Sequence, residues 1–418
     1  MRLVGGALLG SVASCRAATA DPPAPAPVLA AEADAGGDPP PPRVELGRHA
    51  VTITGTRRVI PSAGLPAETK ALNSNNNLDV IRHDGRVFLA WRTSKDHYAS
   101  DASAIHVVSS TDETSWRFEA TVALGTDVRE PRFLALNGSL FLYLSRLGTD
   151  PLKFEPKGVS CVERKADGTW TKPEEIYKPG FLAWRTRTER DVPYMVGYMG
   201  GANIYLFNGE PLTVELLTTA DGRAWKGKNP DAPGVYTGGG SETDFAITDA
   251  RQLVAVIRNE AGDATGWGSK VCHADLADLA RWTCKSDPKK YDSPYVFRHD
   301  GEVYLVGRRN ISPTGNYDLG QRERSAVSQT VGYQLDYRGR KKRCSLWRFV
   351  PGEDRIAYVL DLPSRGDTCF AGGFPGATSD EVVLYNYSSD VDGPDVPWVD
   401  GQNGPTYVYR HVLRFTRG

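Results

Sequence analysis

One short phrase recurs along this chain: a polar pair, in its clearest form Asp-Gly or Asn-Gly, followed by a run of β-branched, aromatic and aliphatic residues. The three clear copies and three weaker ones begin at Asp84, Asn137, Ala202, Arg251, Asp300 and Asp380. They lie about 50 to 80 residues apart, a spacing expected of propellers and other repeat architectures. Asp-Gly and Asn-Gly also favour the tight turns that join antiparallel strands. The repeat therefore predicts an all-β fold whose similar units direct their strand ends to one central funnel.

A second strand-like run precedes each copy, and we interpret it as the innermost strand of a repeat. These runs are residues 77–82, 128–133, 191–195, 241–246, 292–297 and 368–373. Six of them predict a six-bladed β-propeller of four-stranded antiparallel blades. We expect residues 46–66 to add a strand that closes the ring, because closure removes exposed sheet edges. No run after Asn75 has the pattern of a long amphipathic helix.

The charge balance bears on possible partners. The chain carries 50 Lys and Arg against 51 Asp and Glu, a formal net charge of −1. Its one dense basic run, residues 338–343, is interpreted as the solvated tip of a hairpin. We therefore expect no nucleic-acid partner, since such proteins carry a basic patch or stripe. No cofactor is expected either, because Gly238-Gly239-Gly240 lacks the Lys-Ser/Thr of a phosphate-binding loop.

The N-terminus is interpreted as a targeting segment. Arg2 is followed by an apolar run, residues 3–12, that is too short to span a bilayer. The residues Val12-Ala13-Ser14-Cys15 resemble a bacterial lipobox. The resemblance implies cleavage before Cys15 and lipidation of its thiol.

These features divide the chain into three parts. We expect residues 1–15 to be a lipoprotein signal peptide, 16–45 an Ala/Pro-rich linker, and 46–418 the propeller. Lipidation at Cys15 predicts a monomer at the bacterial cell envelope, on the periplasmic or surface face of the outer membrane. Its contact with the membrane would be made by the lipid anchor only.

Five cysteines follow Cys15, and a secreted protein permits disulfides. Cys272 and Cys284 flank a predicted hairpin, and Cys344 and Cys369 lie on either side of a strand and loop, so both pairs are candidates. Cys161 would then be left over. No C-x-x-C spacing occurs, so no metal site is predicted.

A polar turn that ends in Trp follows the repeated strands. The copies are residues 110–116 (STDETSW), 165–170 (KADGTW), 219–225 (TADGRAW) and 278–282 (DLARW). Small polar residues bond the amides of such a turn, while the Trp packs between sheets. The turns resemble the Asp-box of sialidases and their relatives, and the resemblance covers the chain from about Asn75 onward. It implies a sialidase-like propeller that binds a glycan.

The resemblance also implies catalytic roles. Glu242, in Ser241-Glu242-Thr243-Asp244-Phe245, is similar to the sialidase general base that activates a nucleophilic Tyr in the last blade. That nucleophile would be Tyr385 or Tyr387, and the acid/base would be Asp96 or Asp101 in the loop after Arg92. A neutral Tyr avoids repulsion from a substrate carboxylate. Arg92, Arg258 and Arg308 would grip that carboxylate bidentately.

The starts of the inner strands add further candidates, because each points at the funnel. These additional substrate-binding candidates are Asp79, Arg129, Glu130, Asp191, Asp244 and Asp292. The alternative is structural: the ions pair with one another and hold neighbouring blades together. Convergence of many ionisable groups favours a polar ligand, because unpaired charges are costly to bury.

Three functions remain open at this point. The first is an exo-acting sialidase-like hydrolase of a terminal acidic sugar, although the first inner strand reads Asn76-Asn77-Leu78-Asp79 where sialidases have Arg-Ile-Pro. The second is a hydrolase of the five-bladed furanosidase type, with Asp79 as base, Glu130 as pKa modulator and Glu242 as acid. The third is a propeller that binds a glycan or protein and catalyses nothing, since a fold alone does not specify an activity.

Overall fold

The computed structural model describes residues 37–206 and 209–418, which form six antiparallel sheets arranged as the blades of a propeller. The prediction of a six-bladed β-propeller with four-stranded blades is therefore confirmed, with one extra strand in the third blade. The predicted signal peptide, Cys15 and most of the predicted linker lie outside the described residues. None of the described helices is long and apolar enough to cross a membrane.

The first three blades follow one another along the chain, and each runs outward from the central axis. Blade 1 contains β2 (Ser74–His83), β3 (Arg86–Ser94), β4 (Ala104–Ser110) and β5 (Arg117–Val122). Blade 2 contains β6 (Asp127–Leu136), β7 (Ser139–Leu147), β8 (Pro156–Arg164) and β9 (Glu174–Glu175). Blade 3 contains β10 (Leu182–Glu189), β11 (Val192–Met199), β12 (Leu212–Thr218), β13 (Lys226–Gly227) and β14 (Gly234–Gly238).

The remaining three blades complete the ring. Blade 4 contains β15 (Gly240–Ile247), β16 (Gln252–Asn259), β17 (Lys270–Asp275) and β18 (Thr283–Ser286). Blade 5 contains β19 (Asp292–His299), β20 (Glu302–Asn310), β21 (Lys342–Phe349) and β22 (Ile356–Asp361). Blade 6 contains β23 (Gly372–Pro375), β24 (Glu381–Ser388), β25 (Tyr407–Arg417) and β1 (His49–Ile60).

The ring is closed by the chain's two ends. Strand β1 pairs antiparallel with β25 in blade 6, from His49 opposite Arg417 to Ile60 opposite Val408. The expected closing strand is thereby confirmed. Residues ahead of β1 lie along blade 5, where Glu45 pairs with Arg355 at 2.7 Å.

The inner strand of blade 3 was predicted wrongly. Residues 191–195 belong mostly to the second strand, β11, and the inner strand is β10. Asp191 is exposed in the turn between them, where Arg190 and Asp191 both have positive φ (50° and 63°). In the sequence, this tight turn resembles the start of an inner strand, because its charged residues precede an apolar run.

Five inner strands carry a register irregularity at the same place, two to four residues after they begin. The residues in these irregularities include Asn77, Glu130, Trp184, Glu242 and Ser293. Three of them, Asn77, Glu130 and Ser293, have positive φ (39°, 56° and 53°). Bulges of this kind redirect a side chain and are common beside active sites. Here they turn one side chain per blade into the funnel.

Two of the predicted polar turns show the expected hydrogen bonds. Asp112 Oδ1 accepts from the amides of Thr114 (2.7 Å) and Ser115 (2.8 Å). Asp221 Oδ1 accepts in the same way from Arg223 and Ala224, both at 2.8 Å. The Trp residues that end these two turns, Trp116 and Trp225, are buried. These turns are structural elements of the blades.

Within residues 37–206 and 209–418, three helices are inserted between strands: α1 (Asn203–Leu206), α2 (Ala326–Arg338) and α3 (Trp398–Asn403). Helix α2 was not predicted, and the interpretation of residues 338–343 as a hairpin tip is wrong. The buried face of α2 consists of Gln329, Thr330, Tyr333 and Tyr337, so it lacks the apolar periodicity of an amphipathic helix. Lys342 is fully buried and donates to Asn310 Oδ1 at 2.9 Å.

Both proposed cysteine pairs are disulfides in the structure. Cys272 pairs with Cys284 across β17 and β18, and Cys344 pairs with Cys369. Cys161 is free and buried, as expected from the count.

Candidate functional site in the funnel

A cavity of about 410 Å³ opens where the inner strands converge. Its lower wall is formed by one residue from each blade, and we call these residues the floor ring. The floor ring consists of Asn77, Glu130, Trp184, Glu242, Ser293 and Phe370. Its upper walls come from the loops after β3 and β7 and from helices α1, α2 and α3. The side chains that line this cavity come from the bulged inner strands and from long connections at one end of the blades.

Two carboxylates of the floor ring have different surroundings. Glu242 Oε2 accepts from the Ser293 amide at 2.8 Å, and Oε1 contacts the Arg258 guanidinium. Glu130 Oε2 is buried and has no hydrogen-bond partner among the described residues. Burial, together with the charge of Glu242, raises the pKa of Glu130 to about 7. One of the two groups is thus fitted to act as a charged carboxylate and the other to carry a proton near neutral pH.

A buried ion cluster lies behind the wall beside Glu242. Asp292 contacts Arg258 (3.1 Å), Arg308 (3.0 Å) and Lys290 (3.4 Å) and accepts from the Tyr337 hydroxyl at 2.7 Å. Burial alone would raise the pKa of Asp292, but Lys290 and the two guanidinium groups lower it to about 2. Burial lowers the pKa of Lys290 to about 7, although Asp292 opposes that shift. The cluster holds Arg258, Lys290 and Arg308 at the cavity wall.

A second carboxylate, Asp367, organises the wall on the side of blades 1 and 6. It accepts from the Tyr387 hydroxyl (3.0 Å), from Trp398 Nε1 (2.9 Å) and from His97 Nδ1 (2.6 Å). Asp367 itself is completely buried, whereas its three partners line the cavity. Arg308 lies against the same group, 3.5 Å from the Tyr387 hydroxyl.

Below the floor ring, the inner strands carry a layer of ion pairs that we call the axial ion layer. Arg185 contacts Asp79 (3.4 Å) and Asp244 (3.3 Å), and Arg187 also contacts Asp244 (3.1 Å). Asp79 and Asp244 additionally accept from the backbone amides of the next inner strand, at Phe133 (2.8 Å) and Val296 (2.7 Å). A second cavity of about 330 Å³ lies at this level. The layer therefore joins blades 1 and 2 and blades 4 and 5.

Six of the predicted site residues line the cavity. They are Arg129, Glu130, Glu242, Arg258, Arg308 and Tyr387. Asp292 lies directly behind the wall, in contact with two of these arginines.

The other predicted residues do not reach the cavity, and their placement at the funnel mouth is corrected. Asp79 and Asp244 belong to the axial ion layer, where the alternative of structural ion pairing holds. Asp191 and Asp101 are exposed in turns. Asp96 turns back on its own loop, where Oδ1 accepts from the Tyr98 amide at 3.0 Å.

Tyr385 and Arg92 are displaced for different reasons. The side chain of Tyr385 lies on the same face of β24 as Tyr387 but two residues farther from the cavity along the strand, and its hydroxyl donates to Glu113 at 2.7 Å. Arg92 is fully buried and pairs with Asp127 at 2.8 Å. It also donates to the carbonyl of Tyr98 at 2.7 Å, so it holds the loop after β3 in place. Arg129, which contacts the same Asp127, reaches the cavity instead.

Several residues of the cavity were not predicted from the sequence. His97, Lys290, Tyr337, Gln334 and Gln402 line it. His97 follows Asp96 directly, so the loop was identified but the side chain that faces the cavity was not. Lys290 and Tyr337 carry no local motif. Their role becomes visible only when blade 5 and helix α2 converge on Asp292.

Among residues 37–206 and 209–418, no set of three or more His, Cys, Asp or Glu side chains is arranged to hold a metal ion. The cavity is lined by three carboxylates, four arginines, two lysines and five tyrosines. These are Glu130, Glu242, Glu260, Arg129, Arg258, Arg308, Arg338, Lys153, Lys290, Tyr98, Tyr198, Tyr205, Tyr337 and Tyr387.

Comparison with known proteins supports the fold. No protein-family model matches this chain, and no curated protein sequence matches it significantly. Among solved structures, a Dyadobacter fermentans protein of unknown function has a TM-score of 0.59 at 13% identity, covering 88% of this chain and 100% of that one.

Two structural neighbours have stated activities. A Trypanosoma rangeli sialidase in complex with sialic acid has a TM-score of 0.53 at 10% identity, covering 87% of this chain and 58% of the sialidase. A Fusarium graminearum α-L-arabinofuranosidase in complex with an iminosugar inhibitor has a TM-score of 0.50 at 12% identity, covering 82% of this chain and 93% of that one. At these identities the likeness establishes the fold alone: this is a six-bladed propeller whose structural neighbours include sialidases and other glycoside hydrolases.

Proposed function

We propose that this protein is a glycoside hydrolase that cleaves a terminal, negatively charged sugar in the funnel of its propeller. The observation that carries the proposal is the difference between Glu130 and Glu242 in the floor ring. Glycosidases need two carboxyl groups at the scissile bond whose environments separate their proton affinities. Here one carboxyl group is buried with an unpartnered oxygen, and the other is contacted on both oxygens.

In this proposal Glu242 supports bond formation at the anomeric carbon. Its contacts with Arg258 and the Ser293 amide fix its orientation. The bond between the anomeric carbon and the leaving oxygen breaks, and that oxygen keeps the electron pair and takes a proton from a donor on the upper wall. A water molecule adds its oxygen to the anomeric carbon and passes a proton to the Glu242 carboxylate. Glu130, protonated up to about pH 7, donates a hydrogen bond to the bound sugar and adds no second negative charge beside it.

The charge of the walls favours an anionic sugar. Arg129, Arg258 and Arg308 line the cavity, and a guanidinium binds a carboxylate bidentately. This set differs from the predicted Arg92, Arg258 and Arg308, because Arg92 lies behind Arg129. Trp184, Phe370 and Trp398 supply flat apolar walls of the kind on which sugar rings stack.

A sialidase-like use of Tyr387 is the second candidate mechanism. Its hydroxyl lies at the cavity between Asp367 and Arg308, at 3.0 and 3.5 Å. The carboxylate that accepts a hydrogen bond from the Tyr387 hydroxyl is Asp367, in place of the expected Glu242. A covalent sugar adduct on Tyr387, trapped with a fluorinated substrate analogue, would favour this mechanism over direct attack by water.

The test is a hydrolysis and binding screen of the soluble form that begins near Leu46. The probes are methylumbelliferyl glycosides of N-acetylneuraminic, glucuronic and galacturonic acids, with arabinofuranose as a neutral comparison. We expect turnover of an acidic glycoside, and a loss of about 10³-fold in kcat for Glu242→Gln with binding retained. Glu163→Gln is the matched control, since Glu163 is also held by an arginine, Arg223 at 2.7 Å, but lies outside the cavity.

Binding without turnover in wild type and variant would overturn the enzymatic proposal and leave a glycan-binding propeller. Equal loss of turnover in both glutamate variants would overturn the role of Glu242.

We also propose that the propeller is tethered to the bacterial envelope through Cys15. The support is the lipobox-like sequence alone. Metabolic labelling with a palmitate analogue should mark the wild-type chain. Cys15→Ala should lose the label and release the protein from the membrane fraction. A membrane-bound, unlabelled wild type would contradict the proposal.

A further inference from the structure

The loop between β3 and β4 brings His97, Tyr98 and Ala99 to the cavity, and His97 is the one whose side chain bonds a buried carboxylate. The neighbouring carboxylates, Asp96 and Asp101, do not line the cavity. The backbone of this loop is held by Arg92, which donates to the carbonyls of Asp96 (3.3 Å) and Tyr98 (2.7 Å). His97 is therefore presented by a fixed loop.

The His97 ring is oriented by a buried carboxylate from the far end of the chain. Its Nδ1 lies 2.6 Å from Asp367 Oδ2, and the two residues are 270 positions apart. Burial would raise the pKa of Asp367, but His97 and Arg308 lower it, so the carboxylate is charged. A carboxylate at that distance requires a proton on Nδ1. The ring nitrogen left for the cavity is Nε2, which has no hydrogen-bond partner among the described residues.

His97 and the floor ring occupy different levels of the cavity. Glu130 and Glu242 lie on inner strands, at bulges within the sheet. His97 lies beyond the end of β3, in the connection to β4 on the cavity side, and 18% of its side chain is exposed. When a terminal sugar sits on the floor ring, its leaving group points toward the mouth. The group that protonates the leaving oxygen must then come from the upper wall.

We propose that His97 is the catalytic proton donor to the leaving group of the hydrolysis proposed above, and that Asp367 is its positioning residue. The inference rests on the proposed function and replaces the predicted acids, Asp96 and Asp101. As the bond between the anomeric carbon and the glycosidic oxygen breaks, its electron pair goes to that oxygen, which takes the Nε2 proton of the doubly protonated His97 ring and leaves a neutral imidazole whose Nδ1 proton stays on the bond to Asp367. Water adds to the anomeric carbon and gives its proton to Glu242. His97 and Glu242 then exchange protons with solvent, so the balance is glycoside plus water to sugar plus alcohol.

The experiment compares two leaving groups on the sugar that the screen identifies. The 2,4-dinitrophenyl glycoside departs without protonation, whereas the phenyl glycoside needs a proton. In His97→Asn the side-chain amide can keep the contact with Asp367 but has no equivalent of Nε2. We expect kcat/KM for the phenyl glycoside to fall at least about 100-fold, and for the dinitrophenyl glycoside by less than about 5-fold.

Asp367→Asn should show the same preference for the dinitrophenyl glycoside, because it disturbs the ring that donates the proton. His273→Asn is the matched control: His273 also bonds an aspartate, Asp354 at 3.0 Å, but lies on the surface of blade 4. Thermal melting of each variant checks that the propeller is folded.

The outcomes separate the two proposals. Wild-type turnover with equal losses on both glycosides, or with no loss in His97→Asn, overturns the role of His97 and leaves the hydrolase proposal standing. A leaving-group preference in Asp96→Asn in place of His97→Asn overturns it as well. The absence of wild-type turnover on every glycoside overturns the proposed function and, with it, this inference.

Discussion

Two adjacent layers of the same inner strands treat charge in opposite ways. In the axial ion layer, Asp79 and Asp244 meet arginines and backbone amides from other blades. In the floor ring, whose members Asn77 and Glu242 lie two residues before Asp79 and Asp244, Glu130 keeps an unpartnered buried oxygen. Unpartnered buried polar groups are costly and usually mark function, whereas paired ones fix geometry. Among these carboxylates, the contrast favours a structural role for Asp79 and Asp244 and leaves one oxygen of Glu130 without a partner among the described residues.

The largest expected effect is a loss of stability when a residue of the axial ion layer is replaced. Asp244→Ala should destabilise the propeller by about 3 to 5 kcal/mol, because it leaves Arg185 and Arg187 buried without their shared carboxylate. Denaturant unfolding measures the change. Asp191→Ala, at an exposed turn, is the control and should be close to neutral. A stability loss below about 1 kcal/mol for Asp244→Ala would show that the layer does not hold the blades together.

Glu130 of the floor ring should make the free energy of unfolding depend on pH in the opposite sense to a carboxylate that is ion-paired in the folded state. The pKa of Glu130 is raised to about 7, so the folded state binds its proton more tightly than the unfolded state. Its contribution to the free energy of unfolding is present below about pH 4.5 and is lost as pH rises toward 7, by up to about 3 kcal/mol.

Glu130→Gln should remove that loss. Its stability relative to wild type should therefore improve between pH 5 and 8, as measured by denaturant unfolding at each pH. An unchanged difference across this range would mean that Glu130 titrates as an exposed glutamate does.

His411 lies outside both layers, and its effect on stability should depend on pH in the opposite sense to that of Glu130. It is fully buried on β25, its Nδ1 lies 3.0 Å from Thr56 Oγ1, and burial lowers its pKa to about 4. The folded state then binds the proton less tightly than the unfolded state. Stability should be lost as pH falls from about 6.5 to 4, by up to about 3 kcal/mol.

The variant His411→Asn, compared with wild type by thermal melting at pH 7 and 4, should lack this acid-induced loss. If both proteins lose stability equally on acidification, the buried imidazole does not contribute.

The smallest expected effect separates two arginines that contact the same carboxylate. Arg129 reaches the cavity and Arg92 does not, although both bind Asp127. Arg129→Gln should raise KM for an anionic glycoside about 10-fold, because one cationic group leaves the site. Arg92→Gln should lower the Tm and leave KM within about 2-fold. The reverse pattern would place the anionic group elsewhere in the funnel.

The sequence predicted those parts of the molecule that depend on local order along the chain. The spacing of Asp-Gly and Asn-Gly turns indicated the blades, and the segment near His49 indicated the closing strand. Ser110 to Trp116 indicated a turn in which Asp112 accepts from the amides of Thr114 and Ser115, two and three residues later. Glu130 and Glu242 were identified because they lie near the start of an inner strand, and the strand does deliver them to the funnel.

Other predictions failed because the position of a residue along its strand, as well as the face on which it lies, decides whether its side chain reaches the cavity. Tyr385 and Tyr387 looked equivalent on β24, yet only one faces the cavity and the other points at Glu113. Helix α2 was missed because its buried face is polar and aromatic.

The sequence by itself determined the number of blades, the closure of the ring, the polar turns and the two cysteine pairs, since each depends on spacing along the chain. Only the tertiary structure decided which charges face a ligand. The contact of His97 with Asp367, and that of Tyr337 with Asp292, join residues with no relation in sequence. The bulges in the inner strands lie in short runs whose alternation gives no sign of them. The physical reason is that burial and pairing, which distinguish Glu130 from Asp244, are set by neighbours from other blades.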